Sequence, residues 1–329
     1  MFYEGKNTPI TLPNGKTAPY IPSNGLKEAV NVALLVQRPL LIMGEPGVGK
    51  TLLAKAIAHE WYGNNIEPHY FEWHIKSTSK AQDGLYRYDA LRRLADVQLL
   101  RVSEAETDKK IDNTQLGAKD SYFQHGKLSE AIQASKNGQR SILLIDEIDK
   151  ADIDFPNDLL HELDNYSFTI PETGEKVEKP KGFITPLVII TSNREKELPP
   201  AFLRRCIYFY IDFPSQDDLV RMMTGHFTNV GIADLEKIVK LFIFIRQEMR
   251  SRLSASDKSL TTSELVDWYT IIDELNQQND LDEELREKLT HWTEKLNDNI
   301  TFEDLKTIPF YQALFKNLET TKLFGLNQS

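Results

Sequence analysis

The chain has 329 residues, of which 40% are hydrophobic and 27% charged, proportions that fit a soluble globular protein and exclude a disordered or fibrous one. A single hydrophobic core rarely grows beyond about 250 residues, so we expect two domains. The net charge of −10 at pH 7 argues against a general nucleic-acid binder, because most of the surface would repel a polyphosphate backbone.

The first part of the chain alternates predicted helices and strands. After an irregular segment rich in Pro and Gly, the pattern predicts a helix from Leu26 to Val36. Five short apolar or β-branched runs are then predicted as strands: Pro39 to Met43, His69 to Ile75, Ser141 to Ile145, Leu187 to Ile190 and Ile207 to Ile211. Near-continuous apolar runs are typical of a parallel sheet that is covered on both faces. The pattern predicts an α/β domain over residues 1–212.

Two insertions interrupt this alternation. A long polar insert, expected to carry a helix, lies at about residues 81–125, between the second and third strands. The segment at about residues 168–185 is predicted to be an exposed hairpin, because the Glu-Thr-Gly-Glu sequence at its centre is typical of a turn.

After Pro214 the pattern changes to helices alone. Ser215, with Asp218 three residues later, is typical of a helix N-cap. A long helix follows from about Ala233 to Arg250, and another is predicted through SELVDWYTIIDEL. Residues 215–329 are therefore predicted to form an all-helical second domain, with residues 212–214 as a hinge.

The stretch GEPGVGKT, residues 44–51, matches the pattern G-x-x-x-x-G-K-[ST] and stands between a predicted strand and a predicted helix. Its glycines let successive backbone N–H groups turn inward around phosphate, and the following helix N-terminus adds its positive dipole. Lys50 is expected to reach the β- and γ-phosphates of ATP, and the Thr51 hydroxyl to ligate Mg²⁺. The residues predicted to bind the nucleotide are Gly44, Glu45, Pro46, Gly47, Val48, Gly49, Lys50, Thr51 and Leu52, with Tyr20 and Ile21 as adenine contacts.

Polar residues follow two of the predicted strands. Asp146 ends the run SILLID at the carboxyl edge of the sheet, where α/β folds bind ligands, and is expected to hold Mg²⁺. Glu147 is expected to orient the attacking water or to accept its proton. Asn193, at the tip of the next strand, can fix that water beside the γ-phosphate. Asp149 is interpreted as a helix cap. Together with Lys50, these residues predict an ATP hydrolase.

The segments GEPGVGKT, LLIDEIDKA, VIITSN and REKELPPAFLRRCIYFYIDFP resemble the AAA+ ATPases of the MoxR branch, including its CoxD-like members. The resemblance covers roughly residues 18–275. It implies a P-loop AAA+ core with a five-stranded parallel sheet, followed by an all-α lid domain. It also implies assembly into a ring, usually a hexamer, that remodels or activates a protein partner. A protein with a von Willebrand factor A domain is the expected partner.

The same resemblance implies an arginine finger that reaches the nucleotide of the neighbouring subunit. Arg205 is the first choice and Arg204 the second, since a guanidinium stays charged and forks onto phosphate oxygens. The chain departs from the pattern of this family at one position. Lids of this family commonly carry an arginine at the start of their third helix, where this chain has Thr261, Thr262 and Ser263.

The sequence is also compatible with two other functions. One is an NTPase motor that nucleic acid stimulates, which the acidic composition disfavours. The other is a non-cycling ATP-binding assembly switch, which needs neither Glu147 nor Arg205. The histidines indicate no metal site, because His69 and His74 flank a strand at a spacing that does not form one metal-binding face.

Membrane insertion and secretion are not expected. The longest apolar run, residues 238–245, is interrupted by Lys240, whereas a helix needs about 20 apolar residues to cross a bilayer. The N-terminus lacks the basic start and apolar stretch of a secretory signal. Cys206 is the only cysteine, so no internal disulfide can form, and a cytoplasmic location fits best.

Overall fold

The computed structural model describes residues 1–6, 9–11, 17–95, 98, 122–172, 174, 176–252, 260–277, 301–316 and 318–326. Residues 96, 97 and 99–121 of the predicted insert, and residues 253–259, 278–300, 317 and 327–329 of the predicted helical domain, therefore lie outside the described residues. The chain groups into two units. The first comprises Met1–Thr8, Pro22–Gly44 and Lys50–Ile211, and the second comprises Pro9–Ile21, Glu45–Gly49 and Asp212–Ser329. The loop at residues 45–49 thus belongs with the helical unit.

The described strands are short, in keeping with the short apolar runs of the sequence. They are β1 (Pro9–Thr11), β2 (Thr17–Pro19), β3 (Leu40–Gly44), β4 (Tyr70–His74), β5 (Tyr86–Tyr88), β6 (Phe123–His125), β7 (Ile142–Asp146), β8 (Phe168–Thr169), β9 (Lys176–Val177), β10 (Leu187–Ser192) and β11 (Ile207–Ile211).

The described helices range from single turns to the 21 residues of the longest one. They are α1 (Asn24–Val36), α2 (Lys50–Tyr62), α3 (Ala81–Leu85), α4 (Lys127–Ala134), α5 (Phe155–Asp158), α6 (Leu160–Asn165), α7 (Pro200–Leu203), α8 (Gln216–His226), α9 (Ile232–Arg252), α10 (Thr262–Gln277), α11 (Tyr311–Leu314) and α12 (Leu318–Leu323). Residues 90–95 are also helical, and 3₁₀ turns occur at Ile148–Lys150 and Asp304–Thr307.

The predicted five-stranded parallel sheet is confirmed. Its strand order is β11-β3-β10-β7-β4, and every neighbouring pair is parallel. After β3 the chain crosses to β4 at one edge of the sheet. After β10 it crosses to β11 at the other edge. The connections from the neighbours β3 and β10 therefore run in opposite directions across the sheet. In open α/β sheets, ligands bind outside the carboxyl ends of the strands at such a point.

The three central strands of the sheet, β3, β10 and β7, are buried because their residues are mostly apolar. Leu41, Ile145 and Ile190 lie side by side in the register and share one core with Leu128 and Ile132 of α4. The alternate residues of each strand point to the opposite face and are buried as well. Burying one such side chain contributes about 1.5–3 kcal/mol, so the sheet core is a large source of stability for the first unit.

The helical unit has a core of its own. Phe242, Trp268 and Phe324 are fully buried in it, and Trp268 Nε1 donates a hydrogen bond to Pro309 O at 2.8 Å. The predicted cap is confirmed, because Ser215 Oγ accepts a hydrogen bond from the backbone N–H of Asp218 at 3.2 Å. Among the residues that the structure describes, no helix has the length and apolar character needed to span a membrane.

A hairpin occurs within the predicted segment, but it is shorter than residues 168–185. β8 and β9 pair antiparallel over two residue pairs only, and Gly174 in the turn has a φ of +70°. After β9 the chain forms no further strand of this hairpin. Pro180 has no N–H to donate to a ladder, and Ile184 N donates instead to Ser135 O at 3.0 Å. The second half of the segment is therefore a loop that packs beside α4.

The thiol of Cys206 is expected to be unreactive in the folded protein. Cys206 is 9% exposed, and burial raises the pKa of its thiol to about 12. Since the thiolate is the nucleophile, labelling with a disulfide reagent at pH 8 should be at least about 100-fold slower in native protein than in concentrated urea. Native and denatured labelling rates that lie within a few-fold of each other would contradict this burial.

Candidate functional site

The loop at residues 45–49 needs glycine at two positions. Gly47 and Gly49 have φ angles of +78° and +85°, which side chains with a Cβ rarely adopt. A Cβ on Gly47 would lie 2.6 Å from Thr261 Cβ, and one on Gly49 would lie 3.1 Å from Tyr20 Cε2. Thr262 Oγ1 also donates a hydrogen bond to Gly47 O. Backbone conformation therefore disfavours a side chain at both glycines, and close packing against Thr261 adds to this at Gly47.

The acidic residue of the loop is bound by two arginines of α9. The Glu45 carboxylate forms ion pairs with Arg246 and Arg250. Arg246 is buried, donates to Leu260 O, and stacks over Phe213 with its guanidinium carbon 3.6 Å from the ring centroid. Burial lowers the pKa of Arg246, and the contact with Glu45 opposes that change. The helical pattern of α9 alone did not indicate that these arginines bind the loop.

The two predicted metal ligands lie together at the carboxyl edge of the sheet. Thr51, in the first turn of α2, donates its hydroxyl hydrogen to Asp146 Oδ1 at 3.0 Å. Thr191 donates to the same oxygen at 2.7 Å. Lys50, directly before Thr51, is buried, and its Nζ donates to Gly44 O at 2.8 Å. A hydroxyl and a carboxylate are oxygen ligands of the kind that Mg²⁺ prefers, so these residues fit a magnesium site.

Glu147 adopts a strained backbone at the end of β7. Its φ of +58° lies in the left-handed region, which costs a residue with a side chain about 1–3 kcal/mol. Glu147 N donates to Thr191 Oγ1 at 2.8 Å, and Asn193 Nδ2 donates to Glu147 Oε1 at 3.0 Å. Lys150 Nζ binds the other carboxylate oxygen, and this hydrogen bond raises the pKa of Lys150. The carboxylate predicted to act on water is thus held at both oxygens.

The interpretation of Asp149 as a helix cap is wrong. Asp149 lies inside the 3₁₀ turn that follows β7, and its carboxylate reaches across to the loop after β10. Asp149 Oδ2 accepts hydrogen bonds from the backbone N–H groups of Asn193 at 3.1 Å and Glu195 at 2.8 Å. Because β7 and β10 are neighbours in the sheet, the two strand ends meet. Asp149 anchors the loop that carries Asn193.

His69, directly before β4, and His74, the last residue of β4, have different surroundings. His69 is buried and stacks on Tyr62 with ring centroids 4.0 Å apart. His74 is exposed at the surface, but its Nδ1 lies 3.3 Å from Asp146 Oδ2. The sequence indicated no relation between His74 and Asp146, since only the strand pairing brings them together.

The two finger candidates differ in their surroundings within the first unit. Arg205 Nε lies 3.1 Å from Asp164 Oδ2, and both side chains are about half exposed. Arg204 is exposed, and its side chain has no hydrogen bond or ion pair with the described residues. Either guanidinium therefore lies at the surface, where a partner molecule can reach it.

The other residues predicted to contact the nucleotide differ in how far they are buried. Tyr20 packs against Gly49 in the helical unit, and burial raises the pKa of its hydroxyl. Ile21 and Leu52 are half-buried, Val48 is buried and Pro46 is exposed.

The comparison with curated proteins found no match. A family model does match: it is described as ATPase family associated with various cellular activities (AAA), and it covers residues 40–214. The matched segment begins at β3, ends just after β11, and includes every strand of the parallel sheet and the site at its carboxyl edge. Because the match extends over more than half of the 329 residues, the chain belongs to the ATPase family associated with various cellular activities.

Proposed function

We propose that this ATPase is a Mg²⁺-dependent enzyme of the MoxR branch, which couples ATP hydrolysis in a ring oligomer to the remodelling or activation of a protein partner. The observation that carries the catalytic part of the proposal is the hydrogen bond between Thr51 Oγ1 and Asp146 Oδ1. It joins the first turn of α2 to the acidic end of β7, as the binding of a magnesium triphosphate requires.

In this mechanism Thr51 and Asp146 would hold Mg²⁺, which would supply positive charge to offset that of the phosphates. Lys50 binds the β- and γ-phosphates. Glu147 orients the attacking water and accepts its proton, and Asn193 supports the same water. The contacts of Glu147 with Asn193 and Lys150 keep the carboxylate at the sheet edge before the nucleotide arrives.

The ring, the partner and the location are further parts of the proposal. The exposed pair Arg204 and Arg205 supports a nucleotide site that two neighbouring subunits share, in a ring that is usually hexameric. A protein with a von Willebrand factor A domain is the partner that we propose from the resemblance to the MoxR branch. The single cysteine, Cys206, supports a cytoplasmic location.

Steady-state ATP hydrolysis by the purified full chain tests the proposal. We expect hydrolysis that stops when EDTA removes Mg²⁺, and that rises per molecule with protein concentration as shared sites form. Size analysis with and without ATP should show the ring. Strong stimulation by DNA or RNA would favour a nucleic-acid motor instead. ATP-dependent assembly without turnover would favour the assembly switch.

Mixing two inactive variants is expected to restore hydrolysis if Arg205 acts on the neighbouring subunit. Glu147→Gln keeps the arginine and Arg205→Ala keeps the carboxylate, so a mixed interface in one of its two orientations contains both intact groups. In a random equimolar mixture about a quarter of the interfaces are complete. Arg205→Ala alone should lower kcat by about 10³-fold, the usual contribution of an arginine finger.

Arg204→Ala is the matched control in this experiment. If Arg205 is the finger, Arg204→Ala alone keeps most of its activity. If complementation occurs with Arg204→Ala and not with Arg205→Ala, the assignment of the two arginines is reversed. A mixture that stays inactive with both variants would contradict a shared site.

A further inference from the structure

We propose that His74 is a positioning residue for the metal-binding carboxylate of Asp146, and that Glu72 holds His74 in its orientation. The inference rests on the proposed function, because that function assigns Asp146 to the metal. His74 is the last residue of β4 and Asp146 the last of β7, and the two are directly opposite in the parallel register. The distance from His74 Nδ1 to Asp146 Oδ2 is 3.3 Å.

The Asp146 carboxylate has partners at both oxygens. Oδ1 accepts hydrogen bonds from Thr51 and Thr191, and Oδ2 faces His74. Without the imidazole, Oδ2 loses this partner, and the carboxylate plane can rotate about a broad side-chain torsion. Loss of a residue that orients a metal ligand typically weakens metal affinity by about 10- to 100-fold.

A second carboxylate orients His74 itself. Glu72 and His74 lie on the same face of β4, because side chains alternate along a strand, and Glu72 Oε1 is 3.1 Å from His74 Nε2. Glu72 Oε2 in turn lies 3.4 Å from Lys55 Nζ and accepts a hydrogen bond from the Tyr70 hydroxyl at 3.1 Å. Burial raises the pKa of the Tyr70 hydroxyl, and the charge of Glu72 raises it further, so the hydroxyl remains a donor. These contacts form a chain from Lys55 to Asp146.

A transition metal is the competing occupant of this cluster. The ligand atoms of Glu72, His74 and Asp146 all lie within 4.8 Å of one another. Two observations favour positioning over metal binding. Asp146 already accepts two hydrogen bonds at its other oxygen, and each ring nitrogen of His74 faces a carboxylate oxygen at about hydrogen-bond distance.

Asparagine and glutamine substitutions distinguish the contributions of the two ring nitrogens of His74. The amide nitrogen of Asn lies near the position of Nδ1, whereas that of Gln lies near Nε2. His74→Asn therefore keeps a donor towards Asp146, and His74→Gln loses it. His161→Gln is the matched control, because His161 is an exposed histidine of α6 that lies beside a glutamate, with 3.8 Å between Nδ1 and Glu162 Oε1.

The experiment measures Mn²⁺ affinity by electron paramagnetic resonance, with the full chain and a non-hydrolysable ATP analogue. His74→Gln is expected to weaken Mn²⁺ binding about 10-fold or more, while His74→Asn and His161→Gln stay near wild type. In the ATPase assay, the Mg²⁺ concentration for half-maximal rate should rise in His74→Gln, with kcat at saturating Mg²⁺ little changed.

Equal Mn²⁺ affinity in wild type and His74→Gln, with unchanged melting temperatures, would overturn the positioning role. Tight Zn²⁺ binding by the nucleotide-free chain that both His74 variants abolish would assign the cluster to a metal instead. A wild-type chain that binds no Mn²⁺ with the ATP analogue would refute the proposed function, and the inference with it.

Discussion

Replacing Glu147 with Gln is expected to lower the kcat of ATP hydrolysis by about 10²- to 10⁴-fold while ATP binding stays near wild type. Glutamine has the shape of glutamate but cannot accept a proton from water. Asn193 Nδ2, which donates to Glu147 Oε1 at 3.0 Å, can donate equally to the amide oxygen. The contact with Asn193 is therefore retained, while the bond to Lys150 and the basicity of the carboxylate are lost. Steady-state hydrolysis and binding of a fluorescent ATP analogue measure the two effects separately.

Glu195→Gln is a suitable control for this variant. Glu195 is exposed and lies in the adjoining loop, where its backbone N–H rather than its side chain binds Asp149. Its substitution should leave kcat within about two-fold of wild type, as expected for an exposed side chain outside the chemistry. If Glu147→Gln also retained normal turnover, Glu147 would not be the residue that activates water.

Replacing Lys50 with Ala is expected to weaken ATP binding by about 100-fold, which corresponds to about 3 kcal/mol lost from charge-assisted contacts with phosphate. Lys50 is buried at the start of α2, and its ammonium donates to Gly44 O at 2.8 Å. Lys50→Arg should restore little affinity, because a planar guanidinium does not replace a compact ammonium in a buried position. Calorimetric titration with ATP in the presence of Mg²⁺ measures the loss.

Folding has to be checked for both Lys50 variants, since the bond to Gly44 O is lost as well. If wild type and variant have similar melting temperatures, the change in ATP affinity comes from the lost contact with phosphate. Lys127→Ala, an exposed lysine of α4 paired with Glu130, is the control and should bind ATP normally. Wild-type ATP affinity in Lys50→Ala would remove Lys50 from the phosphate site.

Much of the fold could be predicted from local patterns. The five strands of the sheet were each visible as apolar runs, and their observed ends lie within about two residues of the predicted ones, the usual uncertainty of element boundaries. Ser215 was identified as a cap because capping depends on residues three positions apart. The hairpin after Phe168 was placed correctly at its turn but made too long, since strand pairing depends on neighbours that a local pattern does not contain.

The candidate site was predictable where strand ends carry polar residues. Asp146, Glu147 and Asn193 each follow an apolar run, and parallel strands bring such ends to one edge. The supporting partners were not predictable in the same way. Asp149 looked like a local cap, but its carboxylate binds a loop 44 and 46 residues further along the chain.

By itself, the sequence determined the α/β core, the glycine loop that ends in Lys50 and Thr51, and the acidic strand end at Asp146. These features could be predicted because the spacing of hydrophobic residues and of motif residues is a local property of the chain. Only the tertiary structure decided which side chains meet. Thr51 and Asp146 are 95 residues apart, and His74 reaches Asp146 only because β4 is the neighbour of β7. Strand order and register are set by packing of the whole core, so contacts that depend on them cannot be read from any one segment.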